Sequence, residues 1–413
     1  MAVVLVSRYA RPRRFLVLAA ATVLAAGCSA ANRSAPDSQS TSSNPPTVTG
    51  QSTSGRSGAA GPSSGTAGHP LDHAALQAAL DDARTRVGFP GVIARVITPA
   101  GSWEGSSGTT EKGGTTPVTA SDHTRIGSIT KTMTATILLQ LVQEGKLSLD
   151  DPVSKYIPGL PNGDATLRQV ADMTSGIPSY TLDNKVTDRY LAAPQTSWTP
   201  DQLLDAVRTL PPSFPTGKGW QYSNSNYIVL GVIISKVTGQ PIAEVFRDRI
   251  FTPLGMSQSS YPTGTAIPAP SLSGVTTQGA TAGSTRDATG FDPSFAGTAG
   301  QVVSTLDDLQ RWAAALFTGQ GVLNPQTQQL RRDSILTSPP PNTATAGYGI
   351  GIGNRNGWWG HDGDIPGYTT SLFHDYDTDT TIIVLVNSDV EDKASGQAPA
   401  PFVFSSLVSA LGM

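Results

Sequence analysis

One apolar helix with a lysine in its first turn constrains this chain most. From Ser128 to Glu144 the apolar residues Ile129, Met133, Ile137 and Leu141 recur at i+4, and Gly145 follows as a stop. Apolar character on several faces predicts a central helix buried by the rest of the fold. Lys131 then reads in two ways: a solvated lysine on an exposed face, or an amine turned toward Ser128. Positions i and i+3 of a helix bring Cβ atoms to about 5–6 Å. At that spacing an amine can take the proton of a serine that attacks a carbonyl. A serine at a helix start is ordinarily an N-cap, so the tetrapeptide Ser128-Ile129-Thr130-Lys131 needs support from elsewhere in the chain.

The N-terminal 68 residues read as separate from the fold. Arg8, Arg11, Arg13 and Arg14 precede a short apolar run, Phe15 to Ala26. That run is shorter than the ~20 residues a spanning helix needs. Residues 1–28 therefore read as an export signal. Leu24-Ala25-Ala26-Gly27-Cys28 is similar to a lipobox, which would leave Cys28 carrying lipid and anchor the protein to the outside of a membrane. If that box is unused, the product is secreted. Residues 29–68 are Ser, Thr, Gly, Ala and Pro with little else. Such a stretch buries too little surface to offset its ordering entropy and reads as a disordered tether. Cys28 is the single cysteine, so the domain over 69–413 must be held by its core without a disulfide. The formal net charge is −3, and no basic stripe follows the signal, which argues against a nucleic-acid partner. His69 and His73 are i,i+4, but Pro70 interrupts their turn and no further ligands follow; no metal or other cofactor is expected. Nothing in the pattern calls for more than a monomer.

The remaining chain predicts an α/β (α+β) fold. Leu71–Val87 has helical periodicity ending at Gly88. Val92–Thr98 is a β-branched strand, followed by a Pro99-Ala100-Gly101 turn and a second strand from Ser102-Trp103. Residues 145–300 carry short helical pieces between Pro and Gly breakers, the clearest at Leu203–Leu210 and Tyr227–Val237. Tyr368–Tyr376 and Thr381–Val386 read as a hairpin, and Phe402–Leu411 as a closing helix. Strands at both ends and helices between predict one antiparallel sheet flanked by helices, with an inserted, mostly helical lobe.

Two later segments supply the missing support: Tyr222-Ser223-Asn224 and His361-Asp362-Gly363. With Ser128-Ile129-Thr130-Lys131 they resemble, in order, the three motifs of the penicillin-recognising serine hydrolases. That family includes D-alanyl-D-alanine carboxypeptidases, class C β-lactamases and related esterases. The resemblance extends over about residues 70–410. It takes in Glu144-Gly145-Lys146-Leu147-Ser148-Leu149-Asp150-Asp151-Pro152-Val153, Thr174-Ser175-Gly176-Ile177-Pro178, Phe214-Pro215-Thr216-Gly217 and Gly300 to Trp312. His361 stands where the family often has lysine.

The resemblance implies roles. Ser128 is the acylated nucleophile, favoured by the helix macrodipole. Lys131 is its proton partner, with burial lowering its pKa. Tyr222, as a phenolate or through a proton shared with Lys131, assists acylation and deacylation. Asn224 bonds Lys131 and positions the substrate amide. His361, titrating near neutral pH, donates to the leaving group or relays a proton to Tyr222. Gly363 lets substrate lie flat along the strand edge. The backbone N–H groups of Ser128 and Asp364 form the oxyanion pair. The carboxyls of Asp362 and Asp364 would repel a free carboxylate leaving group if they face the cleft. The implied activity is an exported serine hydrolase acting through a Ser128 acyl-enzyme on cell-wall peptide or a small ester or amide, carboxypeptidase- or esterase-like. The alternatives are a β-lactamase and an inactive cell-wall-binding lipoprotein.

Overall fold

The computed structural model describes residues 71–413. The export signal, Cys28 and the tether lie outside the described residues.

The N-terminal elements are α1 (His73–Val87), β1 (Gly91–Thr98), β2 (Gly101–Gly108), β3 (Thr124–Arg125) and α2 (Ile129–Gln143). The helical lobe holds α3 (Leu167–Ala171), α4 (Asn184–Ala192), α5 (Pro200–Arg208), α6 (Asn224–Thr238) and α7 (Ile242–Phe246). Short strands β4 (Val275–Thr276), β5 (Arg286–Asp287) and β6 (Val303–Ser304) lead to α8 (Leu306–Thr318) and α9 (Pro325–Asp333). The chain closes with β7 (Ala346–Tyr348), β8 (Gly353–Arg355), β9 (Trp358–Ile365), β10 (Tyr368–Asp375), β11 (Thr380–Val386) and α10 (Pro399–Ala410).

The main sheet has seven strands in the order β2-β1-β11-β10-β9-β8-β7, and every neighbouring pair is antiparallel. β1 pairs with β11, Val92 opposite Val386, so the two ends of the domain share one sheet as expected. Side chains alternate across the pleat. Val92, Ala94 and Val384 pack with Leu76, Leu80 and Phe404 of α1 and α10. Ile93, Leu372, Ile383 and Leu385 face the other way, into a core with α2, α6 and α8.

The central-helix expectation holds: every residue from Ile129 to Leu141 is buried. The threonines that interrupt its apolar pattern are satisfied locally or by neighbours. Thr134 Oγ1 donates to the Thr298 carbonyl at 2.7 Å, and Trp312 Nε1 donates to Thr132 Oγ1 at 2.8 Å. Gly88 ends α1 in the left-handed region at φ 83°. α6 begins at Asn224, three residues earlier than its apolar periodicity implies. Its first turn carries the polar residues Asn224, Ser225 and Asn226, whose partners are Lys131 on α2, the Tyr180 N–H and the Val170 carbonyl on α3.

Candidate active site

Gly127 and Ser128 are the hinge of the site. Gly127 has φ +50°, and a Cβ there would stand 2.6 Å from the Asp364 nitrogen. Only glycine lets the start of α2 come this close to β9. Ser128 sits at the N-cap position, yet its side chain makes no capping bond. Its hydroxyl meets Lys131 instead, with Nζ and Oγ 2.9 Å apart. The ordinary N-cap reading of this serine is thereby excluded.

Lys131 is fully buried. Its Nζ also donates to Asn224 Oδ1 at 2.7 Å and to the Ala299 carbonyl at 2.8 Å. Burial holds its pKa well below the usual lysine range. Asn224 Oδ1 and the Ala299 carbonyl only accept hydrogen bonds. A neutral amine has two N–H groups and one lone pair. The two carbonyl oxygens take the N–H groups, which leaves the lone pair for the Ser128 O–H. Asn224 is fixed in turn by its Nδ2 donating to Thr181 Oγ1 at 3.1 Å and by Ser179 Oγ accepting from its backbone N–H. The Ala299 carbonyl was missed in the sequence because a backbone group carries no residue-type signal.

Tyr222 places its ring beside the amine, with Lys131 Nζ 4.8 Å from the ring centroid. Its hydroxyl is buried and without a hydrogen-bond partner. Burial pushes its pKa well above the ordinary phenol value. The nearby Ser128 hydroxyl opposes this, but meets it outside hydrogen-bonding geometry. The phenolate expectation is therefore corrected: in this buried setting Tyr222 stands as a phenol, a proton donor rather than a resting base.

His361 also departs from expectation. Its ring is 7% exposed. Nδ1 meets the Asp362 carbonyl, and Nε2 meets the Tyr348 hydroxyl at 2.9 Å. Burial foremost, with the basic groups of Lys131 and Arg355 close by, pulls its pKa down to about 3. The near-neutral titration read from the sequence gives way to an imidazole that stays neutral. The ring is enclosed between Tyr222 and Tyr348, which the local sequence does not show.

Gly363 is buried, and its missing side chain is needed inside the protein. A Cβ there would meet the Ile126 carbonyl at 2.1 Å and Thr370 Oγ1 at 2.2 Å. The glycine thus seats β9 against the approach to α2. Asp362 and Asp364 alternate with His361 and Gly363 and lie on the opposite face of the pleat. Asp362 accepts from Arg355 Nη1 at 2.8 Å and from Ser371 Oγ. Arg355 itself stacks over Phe373 at 4.0 Å. The expected repulsion of a substrate carboxylate by Asp362 is thus corrected, because its charge is compensated by Arg355. Asp364 offers its backbone at Gly127, while burial and the neighbouring Asp389 push its carboxyl pKa upward.

The arrangement joins Ser128, Lys131, Tyr222 and Asn224 around one point, with His361 behind Tyr222 at 6.0 Å between ring centroids. Chemically it is a serine paired with a desolvated amine, beside a phenol and a helix N-terminus. That equipment suits acyl transfer through an ester intermediate. Among the described residues, no group of three or more His, Cys, Asp or Glu is placed to hold a metal ion.

Comparison with known proteins agrees. A family model described as Beta-lactamase matches residues 76–400. The chain is 34% identical over 197 residues to penicillin-binding protein 4 of Amycolatopsis lactamdurans, covering 46% of this chain and 49% of the relative. It is 27% identical over 358 residues to a D-aminopeptidase of Cereibacter sphaeroides, covering 83% of this chain and 64% of the relative. The chain thus spans about half to two-thirds of the length of these curated relatives. Among solved structures it is similar to a D-stereospecific amidohydrolase from Streptomyces sp., at 33% identity and a TM-score of 0.71, covering 82% of this chain and 98% of the other.

Proposed function

Because the chain belongs to the Beta-lactamase family, we infer that it is a serine hydrolase that forms an acyl-enzyme at Ser128. The observation that carries this reading is the three-way seat of Lys131 Nζ on Ser128 Oγ, Asn224 Oδ1 and the Ala299 carbonyl. The neutral amine takes the Ser128 proton as Oγ bonds to the substrate carbonyl carbon. The N–H groups of Ser128 and Asp364 steady the oxyanion at the α2 N-terminus. Collapse breaks the bond to the leaving group, which takes the Tyr222 phenol proton. The Lys131 ammonium then reprotonates Tyr222. Water then attacks the ester carbon as neutral Lys131 takes its proton, the acyl–Oγ bond breaks, and the Lys131 ammonium gives that proton to Ser128 Oγ.

We assign substrates of the D-amino acyl amide or peptide kind, with esters of the same acyl groups. The relatives named for D-aminopeptidase and D-stereospecific amidohydrolase activities support this choice. So does the charge pattern: His361 is neutral, Arg355 is paired with Asp362, and Lys131 is enclosed. None of the three is free to hold the terminal carboxylate that a D-alanyl-D-alanine carboxypeptidase must bind. We further place the enzyme outside the cytoplasm, held to the membrane by lipid on Cys28 and working as a monomer on cell-wall peptides or their fragments.

Intact-mass analysis after brief incubation with a D-phenylalanine ester, a D-alanine amide, D-alanyl-D-alanine and a β-lactam tests the reading. An acyl adduct on the wild type, missing from Ser128→Ala, is expected with the ester or amide. Unchanged labelling of Ser128→Ala would refute the nucleophile. A preference for D-alanyl-D-alanine would refute the substrate class. Incorporation of labelled fatty acid, lost in Cys28→Ser, tests the anchor.

A further inference from the structure

We propose that Tyr348 is a positioning residue that fixes His361 as a neutral, Nδ1-protonated imidazole and so keeps the third motif of this active site uncharged. The proposal rests on the reading of Ser128 and its neighbours as the active site.

Two hydrogen bonds decide the tautomer. Nδ1 of His361 faces the Asp362 carbonyl, and a carbonyl oxygen can only accept. Nδ1 therefore carries the proton. Nε2 faces the Tyr348 hydroxyl at 2.9 Å, and Tyr348 is buried in β7. In a neutral ring Nε2 is an acceptor, so the phenol donates to it. Protonating Nε2 would turn that contact donor to donor unless Tyr348 reversed its hydroxyl. The surroundings oppose a second charge from every side. Arg355 on β8 is cationic, and Lys131 on α2 becomes so when it takes the Ser128 proton. Tyr222 before α6 and Tyr348 on β7 are phenols with pKa values driven well up by burial. Asp362, on the strand of His361 itself, points to the other face and spends its charge on Arg355.

The three rings lock one another. Tyr348 meets Tyr222 edge to face with centroids 6.1 Å apart, and His361 at 5.5 Å, both near 85°. Trp220 closes the cluster on Tyr348 at 6.0 Å. Tyr348 is held by its own backbone: its N–H donates to Asn342 Oδ1 and its carbonyl accepts from Leu336 N–H. This makes it a rigid donor rather than a mobile one. The consequence is a site whose third motif supplies shape and a lone pair, already occupied, where a lysine would supply a positive charge. Such a site favours substrates that carry no anion next to the scissile bond.

Nitrogen-15 NMR of histidine-labelled protein tests this, with His361 assigned by its loss in His361→Gln. In the wild type the His361 signals are expected to report a protonated Nδ1 and a bare Nε2, unchanged from pH 5.5 to 8. In Tyr348→Phe burial still keeps the ring neutral, but Nε2 loses its donor: its signal should move to that of a pyridine-type nitrogen without a hydrogen bond, and a second, Nε2-protonated tautomer should appear. Titration of wild-type His361 near neutrality, or an Nε2-protonated ring, would overturn the proposal. So would a folded Tyr348→Phe whose His361 spectrum matches the wild type. If Tyr348→Phe fails to fold, the wild-type spectrum still decides the tautomer. Failure of the underlying active-site reading looks different: Ser128→Ala would keep its ester hydrolysis while the His361 spectrum remained as described.

Discussion

Lys131 Nζ and Asn224 Oδ1 are 2.7 Å apart, although their residues lie on different helices and 93 positions apart in sequence. This bond aims the amine. Asn224→Ala removes one of the two acceptors that reserve the lone pair for Ser128. Acylation of a neutral D-amino acid ester should fall about 10²–10³-fold, with the far-UV spectrum and Tm little changed. Burst-phase acylation kinetics on the purified variant check it. Retention of wild-type acylation would mean that the Ala299 carbonyl alone orients the lysine.

Burial lowers the Lys131 pKa, which fixes the direction of the acylation profile. The neutral amine is the base, and it is populated above that depressed pKa. Acylation should therefore rise with pH through the lysine's titration and level off above it. Lys131→Arg, whose guanidinium keeps its charge, should lose at least about 10³-fold at every pH. Single-turnover rates from pH 5 to 10 decide the matter. A rate that falls as Lys131 deprotonates would show the ammonium to be the working form.

Gly127 carries the geometry of the oxyanion pair. An alanine there needs a positive φ and a Cβ 2.6 Å from the Asp364 nitrogen. The strand must retreat, and it takes one donor with it. Gly127→Ala should fold, at a cost of about 1–3 kcal/mol, and should lose about 10²–10³-fold in kcat. Combining urea unfolding with kcat measurement separates the two effects. A variant with lowered stability and unaltered kcat would place the second donor elsewhere.

Sequence pattern disclosed the parts of this molecule that repeat with a period. The i+4 apolar run of α2, the β-branched β1 and the β10–β11 hairpin all declared themselves, because burial on one face or on all faces leaves a periodic trace. The strands β7 and β8 left none: each is three residues long, too short for alternation to register. β9 carries Trp358, Trp359 and two glycines where alternation would show, and its glycines answer to close backbone approach instead. Ser128, Lys131, Tyr222 and Asn224 were recognisable as motifs, since their chemistry is tied to residue type and spacing. The lowered pKa of Lys131 was legible too, from the apolar helix around it, whereas the protonation of Tyr222 stayed open and that of His361 was misjudged, because both depend on burial by distant elements. Tyr348 escaped notice altogether, as a lone tyrosine among glycines acquires its role only when β7 folds against β9.

Asp389 gives a prediction about stability rather than rate. Its Oδ2 accepts from Thr276 Oγ1 at 2.7 Å and Gln278 Nε2 at 2.8 Å, while Oδ1 is buried without a partner. Burial raises its pKa to about 6. The folded state then holds a proton that the unfolded chain releases near pH ~3.9. Between those values the native state binds more protons, so stability declines as pH rises from about 4 to 6 and the penalty persists above. Asp389→Asn keeps an oxygen for Thr276 and Gln278 and removes the buried charge. It should be more stable than the wild type at pH 7.5 by about 1–3 kcal/mol, a Tm increase of roughly 2–5 °C, with the difference vanishing near pH 4. Thermal unfolding across that pH range is the check. Equal Tm differences at pH 4 and 7.5 would show that the carboxyl is ionised at no cost, its charge met by a neighbour.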